Sequence, residues 1–429
     1  MYNDYSQLLI DIQKKSNITV TTIRDVKYLK EELDAVTNRP LGFNTLRRLF
    51  GFLDKTVPSL MTLNTLSIYL GFSSFSSYKN NQANYSEWYF QQSLLRMQKL
   101  KRIGNKEINV INIGLLDEKN IVFLAYFLSF QVEKNNIEIL NTVFKYVDFK
   151  SVSSTQFHKF STTISLSLLN VSEKKALSIY EALIHYDTFR NNIPLLFIDY
   201  SNLNSRYYKF LKCIEKNAAN DSDIFFVSLM RFYKNYYSEN KPLLNYEITK
   251  PQEFSSFYSV LKGRFYGCCI LKSQKISLKL KKEILDECSS NRVSFFLEEI
   301  IPALIIKEDY DFLKEIMDKY YEELFESDIW SSTTTSAIYL IGLSNSNWHA
   351  ASYARAKRNL ELVDLEVVEI AYYDYLALFY YFTKLKISFS ESEIVSNRDA
   401  LKKLKLHVKK TGFILFLSIA KEFSLRYKF

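Results

Sequence analysis

The helical character of the chain is plainest in one early stretch, which runs Thr22-Ile23-Arg24-Asp25-Val26-Lys27-Tyr28-Leu29-Lys30-Glu31-Glu32-Leu33-Asp34-Ala35-Val36. Its apolar residues recur every three or four positions, at Ile23, Val26, Leu29, Leu33 and Val36. This spacing places them on one face of an α-helix. Thr21 or Thr22 can cap the start of the helix, and the turn formers between Asn38 and Gly42 end it. The stretch therefore predicts an amphipathic helix over residues 22–37.

The composition extends this helical character to the whole chain. The 429 residues include only 9 glycines and 6 prolines, which is too few for the many tight turns of a β-sandwich, barrel or propeller. Aromatic residues make up 16% of the chain and hydrophobic residues 47%, which is enough to bury a core and excludes wholesale disorder. We therefore expect an all-α protein.

Three short helices are predicted to follow the first, because glycines and prolines concentrate in this part of the chain. One covers Phe43 to Leu53 and has these inward residues: Phe43, Leu46, Leu49, Phe50 and Leu53. The next begins after Pro58-Ser59 and has these inward residues: Leu60, Leu63, Leu66 and Leu70. Gly71 stands where a left-handed residue ends a helix, and Ser73 is predicted to cap a short fourth helix.

From about Asn84 onward, candidate helices of 12–20 residues alternate with short polar loops. Helical hairpins at a spacing of roughly 35–45 residues are typical of tetratricopeptide and related helical repeats. The best local match is Trp348 to Tyr381, although Tyr and Phe elsewhere occupy positions where such repeats have small residues. An irregular helical domain is the alternative. We thus expect a module over 1–82 and a helical-repeat domain over 83–429, with a basic helix from about residue 398.

One part of the amino-terminal region carries an ordered motif. It consists of Asn44-Thr45-Leu46-Arg47-Arg48-Leu49-Phe50-Gly51, then Pro58-Ser59-Leu60-Met61-Thr62-Leu63-Asn64-Thr65-Leu66, then Tyr69-Leu70-Gly71-Phe72. In order and spacing this motif resembles the Cro/repressor-type helix-turn-helix domain, over about residues 20–80. The resemblance implies a recognition helix that begins near Asn44, and a homodimer that binds double-stranded DNA.

The outward residues of this helix suit contact with DNA. With the leucines inward, Asn44, Arg47 and Arg48 face outward together with Gly51. Asn can pair with adenine and Arg with guanine in the major groove, while Thr45 and Lys55 can reach phosphate. In regulators of this kind the repeat region binds a peptide or protein. The alternative is a protein-interaction scaffold whose residues 1–82 form a capping bundle.

The residues required for catalysis or cofactor binding lack a recognisable pattern. The four histidines (His158, His185, His349 and His407) share no ligand spacing, and no phosphate-binding or nucleophile motif occurs. We therefore predict a protein that is not an enzyme and has no cofactor or metal. His158 is expected in a Ser/Thr-rich loop, Glu298-Glu299 and Glu322-Glu323 on solvated faces, and Gly263 and Gly267 at a close helix contact.

The charge is modest overall but unevenly distributed. The formal net charge is +9, and residues 254–282 contain seven basic residues and no acidic one. Basic residues interleaved with aromatics, as in this stretch, can bind single-stranded nucleic acid, although in a chain with 16% aromatic residues such interleaving is expected by coincidence. In the helix from Leu401 to Lys410, a solvated face is favoured over contact with phosphate. Four cysteines and no long apolar run predict free thiols, a cytoplasmic location and no membrane partner.

Overall fold

A computed structural model describes residues 5–54, 56–150, 152–217, 220–239, 247–290, 292–325, 333–391 and 394–426. Within these ranges the protein is all-α and has no β-strand, as the composition predicted. No helix there is both long enough and apolar enough to cross a membrane. The chain forms two compact units: Met1–Phe127 with Val147–Ser153, and Leu128–Tyr146 with Ser154–Phe429.

The first unit contains a run of α-helices and one short 3₁₀ helix, Glu118–Asn120. The α-helices are α1 (Ser6–Ser16), α2 (Ile23–Thr37), α3 (Phe43–Leu49), α4 (Leu60–Tyr69), α5 (Phe75–Met97), α6 (Asn105–Gly114) and the beginning of α7 (Ile121–Lys134). The predicted division at residue 82 falls within α5. The compact unit that contains α1 to α5 extends beyond it, to Phe127.

The helices α1 to α4 and the start of α5 share one apolar core. Its fully buried members include Leu8, Val26, Leu29, Leu46 and Leu66. The α2 helix begins at the capping box formed by Thr22 and Asp25, and it ends at Asn38, whose φ is +50°. Local signals therefore position α2, and its apolar face closes the bundle.

The start and end of α3, α4 and α5 differ from the sequence-based expectation. The α3 helix ends at Leu49 rather than Leu53, because Gly51 turns the backbone into the left-handed region at φ +82°. In α4 the predicted inward residue Leu60 is exposed, and Tyr69 is buried instead. Tyr69 Oη donates a hydrogen bond to Glu32 of α2, and its side chain is buried together with the predicted inward residues Leu63 and Leu66. The predicted short fourth helix is the first part of the long helix α5, whose cap is Ser74.

The second unit contains the rest of α7 and all later helices. These are α8 (Ile137–Tyr146), α9 (Ser154–Asn170), α10 (Glu173–Leu183), α11 (Asp187–Asn192), α12 (Arg206–Lys216), α13 (Asp221–Glu239), α14 (Ser259–Lys272), α15 (Leu278–Ser290), α16 (Val293–Lys307), α17 (Tyr310–Lys319), α18 (Tyr321–Phe325), α19 (Thr333–His349), α20 (Tyr353–Glu361), α21 (Ile370–Ser390), α22 (Ile394–Thr411) and α23 (Leu415–Arg426). Short 3₁₀ helices cover Tyr200–Asn202, Gln252–Ser256 and Leu365–Val367. Helices near in sequence pack together: α14 on α16, α16 on α19, and α19 on α20 and α21.

The helix α9 corrects one prediction. The Ser/Thr-rich stretch around His158 was expected to be a loop, but it is helical from Ser154 to Asn170. Its hydroxyls bond to the helix's own carbonyls: Ser161 Oγ donates to Phe157 O at 2.9 Å, and Thr163 Oγ1 donates to Lys159 O at 2.8 Å. Because these hydroxyls bond to carbonyls within the helix, they do not draw the backbone into a turn. Burial of the apolar face then keeps the segment helical.

Two glycines of α14 lie against α16, at the close contact that their spacing predicted. A Cβ atom on Gly263 would stand 2.5 Å from the backbone oxygen of Phe296. A Cβ on Gly267 would stand 2.2 Å from Tyr233 Oη and 3.0 Å from Glu299 O. The two helices therefore approach more closely than side chains at these positions would permit.

Replacing Gly263 with alanine is expected to lower the free energy of unfolding by about 1–3 kcal/mol. The added methyl group meets backbone, so α14 and α16 must separate. Thermal or urea unfolding monitored by circular dichroism measures the effect. Gly104→Ala is a matched control, because the nearest atom to its Cβ would be a side-chain oxygen at 3.6 Å. A loss at Gly263 no larger than that at Gly104 would contradict the close packing.

Candidate nucleic-acid interface

The α3 helix is held to the first unit by one apolar face. Leu46 and Leu49 are buried in the core, and Phe43 and Phe50 pack half-buried against it. Leu41, just before the helix, is also buried, and its N–H donates to Asp34 Oδ1 of α2 at 3.0 Å. The short helix is therefore fixed on the core by its own leucines and by the preceding loop.

Backbone hydrogen bonds define both ends of α3. At the beginning, the N–H groups of Thr45 and Leu46 donate to Gly42 O at 2.9 and 3.2 Å. At the end, Phe52 N–H donates to Arg47 O at 2.8 Å and Gly51 N–H to Arg48 O at 3.3 Å. This pair of bonds around a left-handed glycine is a Schellman motif. The carbonyls that the last turn would leave unsatisfied are thereby bonded, and both arginines lie beside them, where the helix dipole favours positive charge.

The structure brings together part of the predicted DNA-binding set. Asn44 and Arg48 are exposed, whereas Thr45 and Arg47 are half-buried. Arg47 Nη1 donates to Asn44 Oδ1 at 3.3 Å, so these two side chains form one polar group on the outer face. Lys55 lies outside the described residues. Within the described ranges, no carboxylate forms an ion pair with Arg47 or Arg48.

The sequence did not indicate the role of Phe43 in this group. The Arg47 guanidinium carbon lies 5.8 Å from the centre of the Phe43 ring, at cation–π distance. The Nε of Arg47 is buried and has no hydrogen-bond partner among the described residues. The Arg47 guanidinium thus contacts the Phe43 ring and, through Nη1, the amide oxygen of Asn44. The four-residue spacing of an aromatic and an arginine on a helix was the available signal.

Part of the basic and aromatic stretch over residues 254–282 is buried and is therefore not available to a nucleic acid. Lys262 and Arg264 are buried, as are Phe254, Phe265 and Tyr266. Arg264 Nε lies 2.9 Å from Glu299 Oε1, an ion-pair contact without hydrogen-bond geometry. These interleaved aromatic and basic side chains therefore lie in the interior of the second unit, whereas Tyr258, Lys275, Lys279 and Lys282 of the same stretch are exposed.

The prediction of a solvated face at Glu298-Glu299 is also wrong. Glu299 accepts a hydrogen bond from Tyr200 Oη at 2.6 Å and is buried with Arg264. Thr335 Oγ1 donates to Glu298 Oε2 at 3.1 Å, and burial raises the pKa of Glu298 to about 8. The second predicted pair, Glu322-Glu323, is exposed as expected. The burial of Glu299 is explained by the buried cation of Arg264 beside it, which the local sequence pattern does not contain.

No arrangement for metal binding is present among the described side chains, since no three His, Cys, Asp or Glu residues are clustered suitably. The four cysteines are free thiols. The outer face of α3, with an amide and two guanidinium groups, is an arrangement that offers hydrogen bonds and positive charge to a ligand. Comparisons of the chain with protein-family models, with curated proteins and with solved structures found no match.

Proposed function

We propose that the protein is a DNA-binding transcriptional regulator, and that its second unit binds a peptide or protein that controls it. The observation that carries the proposal is the outward polar face of α3, formed by Asn44, Arg47 and Arg48 on a helix fixed to a compact core. A homodimer is part of the proposal, because regulators of the helix-turn-helix class bind two half-sites.

The chemistry of this face fits the edges of base pairs. An amide can pair with adenine and a guanidinium with guanine, each through two hydrogen bonds. The three side chains lie within about one helical turn, so they would reach neighbouring base pairs of one half-site. An α-helix about 10–12 Å across also fits the major groove, which is about 12 Å wide. To contact a base, Arg47 would exchange its bond to Asn44 for one to the DNA.

Replacing both Arg47 and Arg48 with alanine is expected to weaken binding to the preferred genomic DNA fragment by about 1–3 kcal/mol for each arginine that reads a base. A gel-shift titration of the full chain against genomic fragments, repeated at several salt concentrations, measures the effect. The matched control is Arg96→Ala with Arg102→Ala, which removes two exposed arginines from the same unit.

The lysine variants Arg47→Lys and Arg48→Lys separate base recognition from charge alone. They keep the charge but lose the paired hydrogen bonds, so we expect sequence preference to fall while the salt dependence stays. Unchanged affinity and an unchanged salt slope in the double alanine variant would show that α3 does not contact DNA.

A second candidate function, a protein-interaction scaffold, is favoured by an exposed apolar group at the start of α4. Val57, Leu60 and Met61 are 82%, 63% and 73% exposed. Exposed apolar groups of this kind mark protein contacts when they are contiguous. The scaffold is preferred if the full chain binds no duplex DNA in the titration above.

A further inference from the structure

One side of α22 carries four basic side chains in a single row: Arg398, Lys402, Lys405 and Lys409. Their spacing of four, three and four residues places them along one line of an α-helix, and all four are exposed. The row is about 16 Å long at 1.5 Å per residue. We call these four residues the basic row.

The basic row is not neutralised by neighbouring acids. On the adjoining strip of α22, Lys403 Nζ lies 3.6 Å from Asp399 Oδ2, and Lys410 Nζ lies 3.0 Å from Asp374 Oδ1. For the basic row itself, the described residues place no carboxylate at ion-pair distance. Asp399 is the single acidic residue between 394 and 411, against six basic ones. The outer face of α22 therefore carries a concentrated positive charge.

The opposite face holds α22 rigidly on the second unit. Ala400, Leu404 and Val408 are buried there. His407 is buried on the same side, and its Nδ1 lies 2.7 Å from Asp374 Oδ1 of α21. Because the helix is anchored, the four cations are presented in a fixed order, and binding a ligand would not require the helix to form first.

We propose that the basic row binds the phosphate backbone of double-stranded DNA without reading its sequence. Charge complementarity identifies this occupant: duplex DNA carries about one negative charge per 1.7 Å of its axis, so 16 Å of duplex carries about nine phosphate charges on its two strands. The inference adds a second DNA contact to the proposed function, but it does not depend on Arg47 and Arg48, which belong to the first unit.

The other residues on the outer face of α22 argue against different polyanions. Single-stranded nucleic acid is held by aromatic rings on which bases stack, and the outward positions of α22 carry none. A membrane-surface helix needs a broad apolar face. Among the described side chains of α22, the exposed apolar residues are Val395 and Leu406, whereas Ala400, Leu404 and Val408 are buried and Leu401 is half-buried. Backbone contact with a duplex requires only the row of cations.

The test replaces all four cations with glutamine in the full-length chain and measures binding to a fluorescent random-sequence DNA duplex at several salt concentrations. We expect the affinity to fall by at least about tenfold, and the slope of log K against log salt to fall by about 3–4, because each phosphate contact contributes about 0.9. A matched variant removes one exposed arginine and three exposed lysines elsewhere in the second unit: Lys174→Gln, Lys216→Gln, Lys282→Gln and Arg355→Gln.

The matched variant is expected to keep the wild-type slope of log K against log salt.

A second measurement needs no variant: the duplex should protect Lys402, Lys405 and Lys409 of the wild-type chain from acetylation. The proposal is overturned if the random duplex is not bound, or if both glutamine variants lose affinity for it equally. It is also overturned if the four glutamine substitutions in the basic row weaken binding to vesicles containing phosphatidylserine but not binding to DNA. The Arg47 and Arg48 variant in the same assay reports on α3 separately, so either surface can fail alone.

Discussion

Replacing Glu299 with alanine is expected to lower the free energy of unfolding by about 3–5 kcal/mol. The carboxylate is buried between Arg264, whose Nε lies 2.9 Å away, and Tyr200, whose hydroxyl donates to it at 2.6 Å. Its loss would leave the buried guanidinium without its ion-pair partner, and burial of a poorly compensated charge is costly. Equilibrium urea unfolding followed by circular dichroism measures the change.

Two further variants define what the Glu299 result means. Glu322→Ala removes an exposed glutamate and is expected to change the free energy of unfolding by less than about 0.5 kcal/mol. The double variant Arg264→Met with Glu299→Met removes both charges, and we expect it to be more stable than Glu299→Ala alone, since apolar replacements of buried pairs are often tolerated. A loss below about 1 kcal/mol in Glu299→Ala would show that Arg264 reaches water.

The helices whose boundaries were predicted best are those with signals inside the segment itself. The α2 helix begins at a Thr22–Asp25 capping box and ends at a left-handed asparagine, and its apolar spacing is regular. Each of these features is local, so one sequence was sufficient to place the helix. The left-handed conformation of Gly71, at φ +98°, was predictable for the same reason.

The errors arise where a distant residue changes the meaning of a local pattern. Glu298-Glu299 has the appearance of a solvated pair until Arg264, 35 positions earlier, is placed opposite it. Likewise, nothing within α4 indicates that Tyr69 will face Glu32 and leave Leu60 exposed. In α9 the Ser and Thr side chains suggested a loop, whereas burial of Phe160 and Ile164 decides for a helix. Tertiary packing overrides local preference in each case.

At the candidate interface, too, the features that depend on local sequence were predicted and those that depend on side-chain contacts were not. Periodicity was enough to place Asn44 and Arg48 on the exposed side of α3, since it depends only on residues within the helix. It did not indicate that Arg47 would lie half-buried over Phe43, with one guanidinium nitrogen on Asn44. Those contacts depend on side-chain conformations that the spacing of residues does not determine.

Lys386 of α21 is enclosed by a group that the sequence did not indicate. Its Nζ donates to Tyr310 Oη at 2.9 Å and to Asn345 Oδ1, and it lies 4.7, 5.0 and 4.7 Å from the ring centres of Tyr310, Trp348 and Phe382. The side chain is fully buried, and this burial lowers the pKa of Lys386 to about 7. The folded protein therefore releases the proton near neutral pH, whereas an unfolded chain retains it to about pH 10.4.

We expect the free energy of unfolding of the wild type to rise, relative to that of Lys386→Met, as the pH increases from about 7 toward 10. In this range the unfolded wild-type chain binds more protons at position 386 than the folded chain, so removing protons from solution favours the folded state. The relative gain approaches about 1.4 kcal/mol per pH unit and sums to about 2.5 kcal/mol between pH 8 and 10, because the unfolded chain begins to lose the proton below pH 10. Below about pH 7 the lysine is protonated in both the folded and the unfolded state, and the difference between the two proteins becomes constant.

Urea unfolding at each pH measures the free energy of unfolding of both proteins, with Lys421→Met as the exposed control that should follow the wild-type curve. Parallel curves for the wild type and Lys386→Met would mean that the buried ammonium keeps its proton through interaction with the three rings and Asn345.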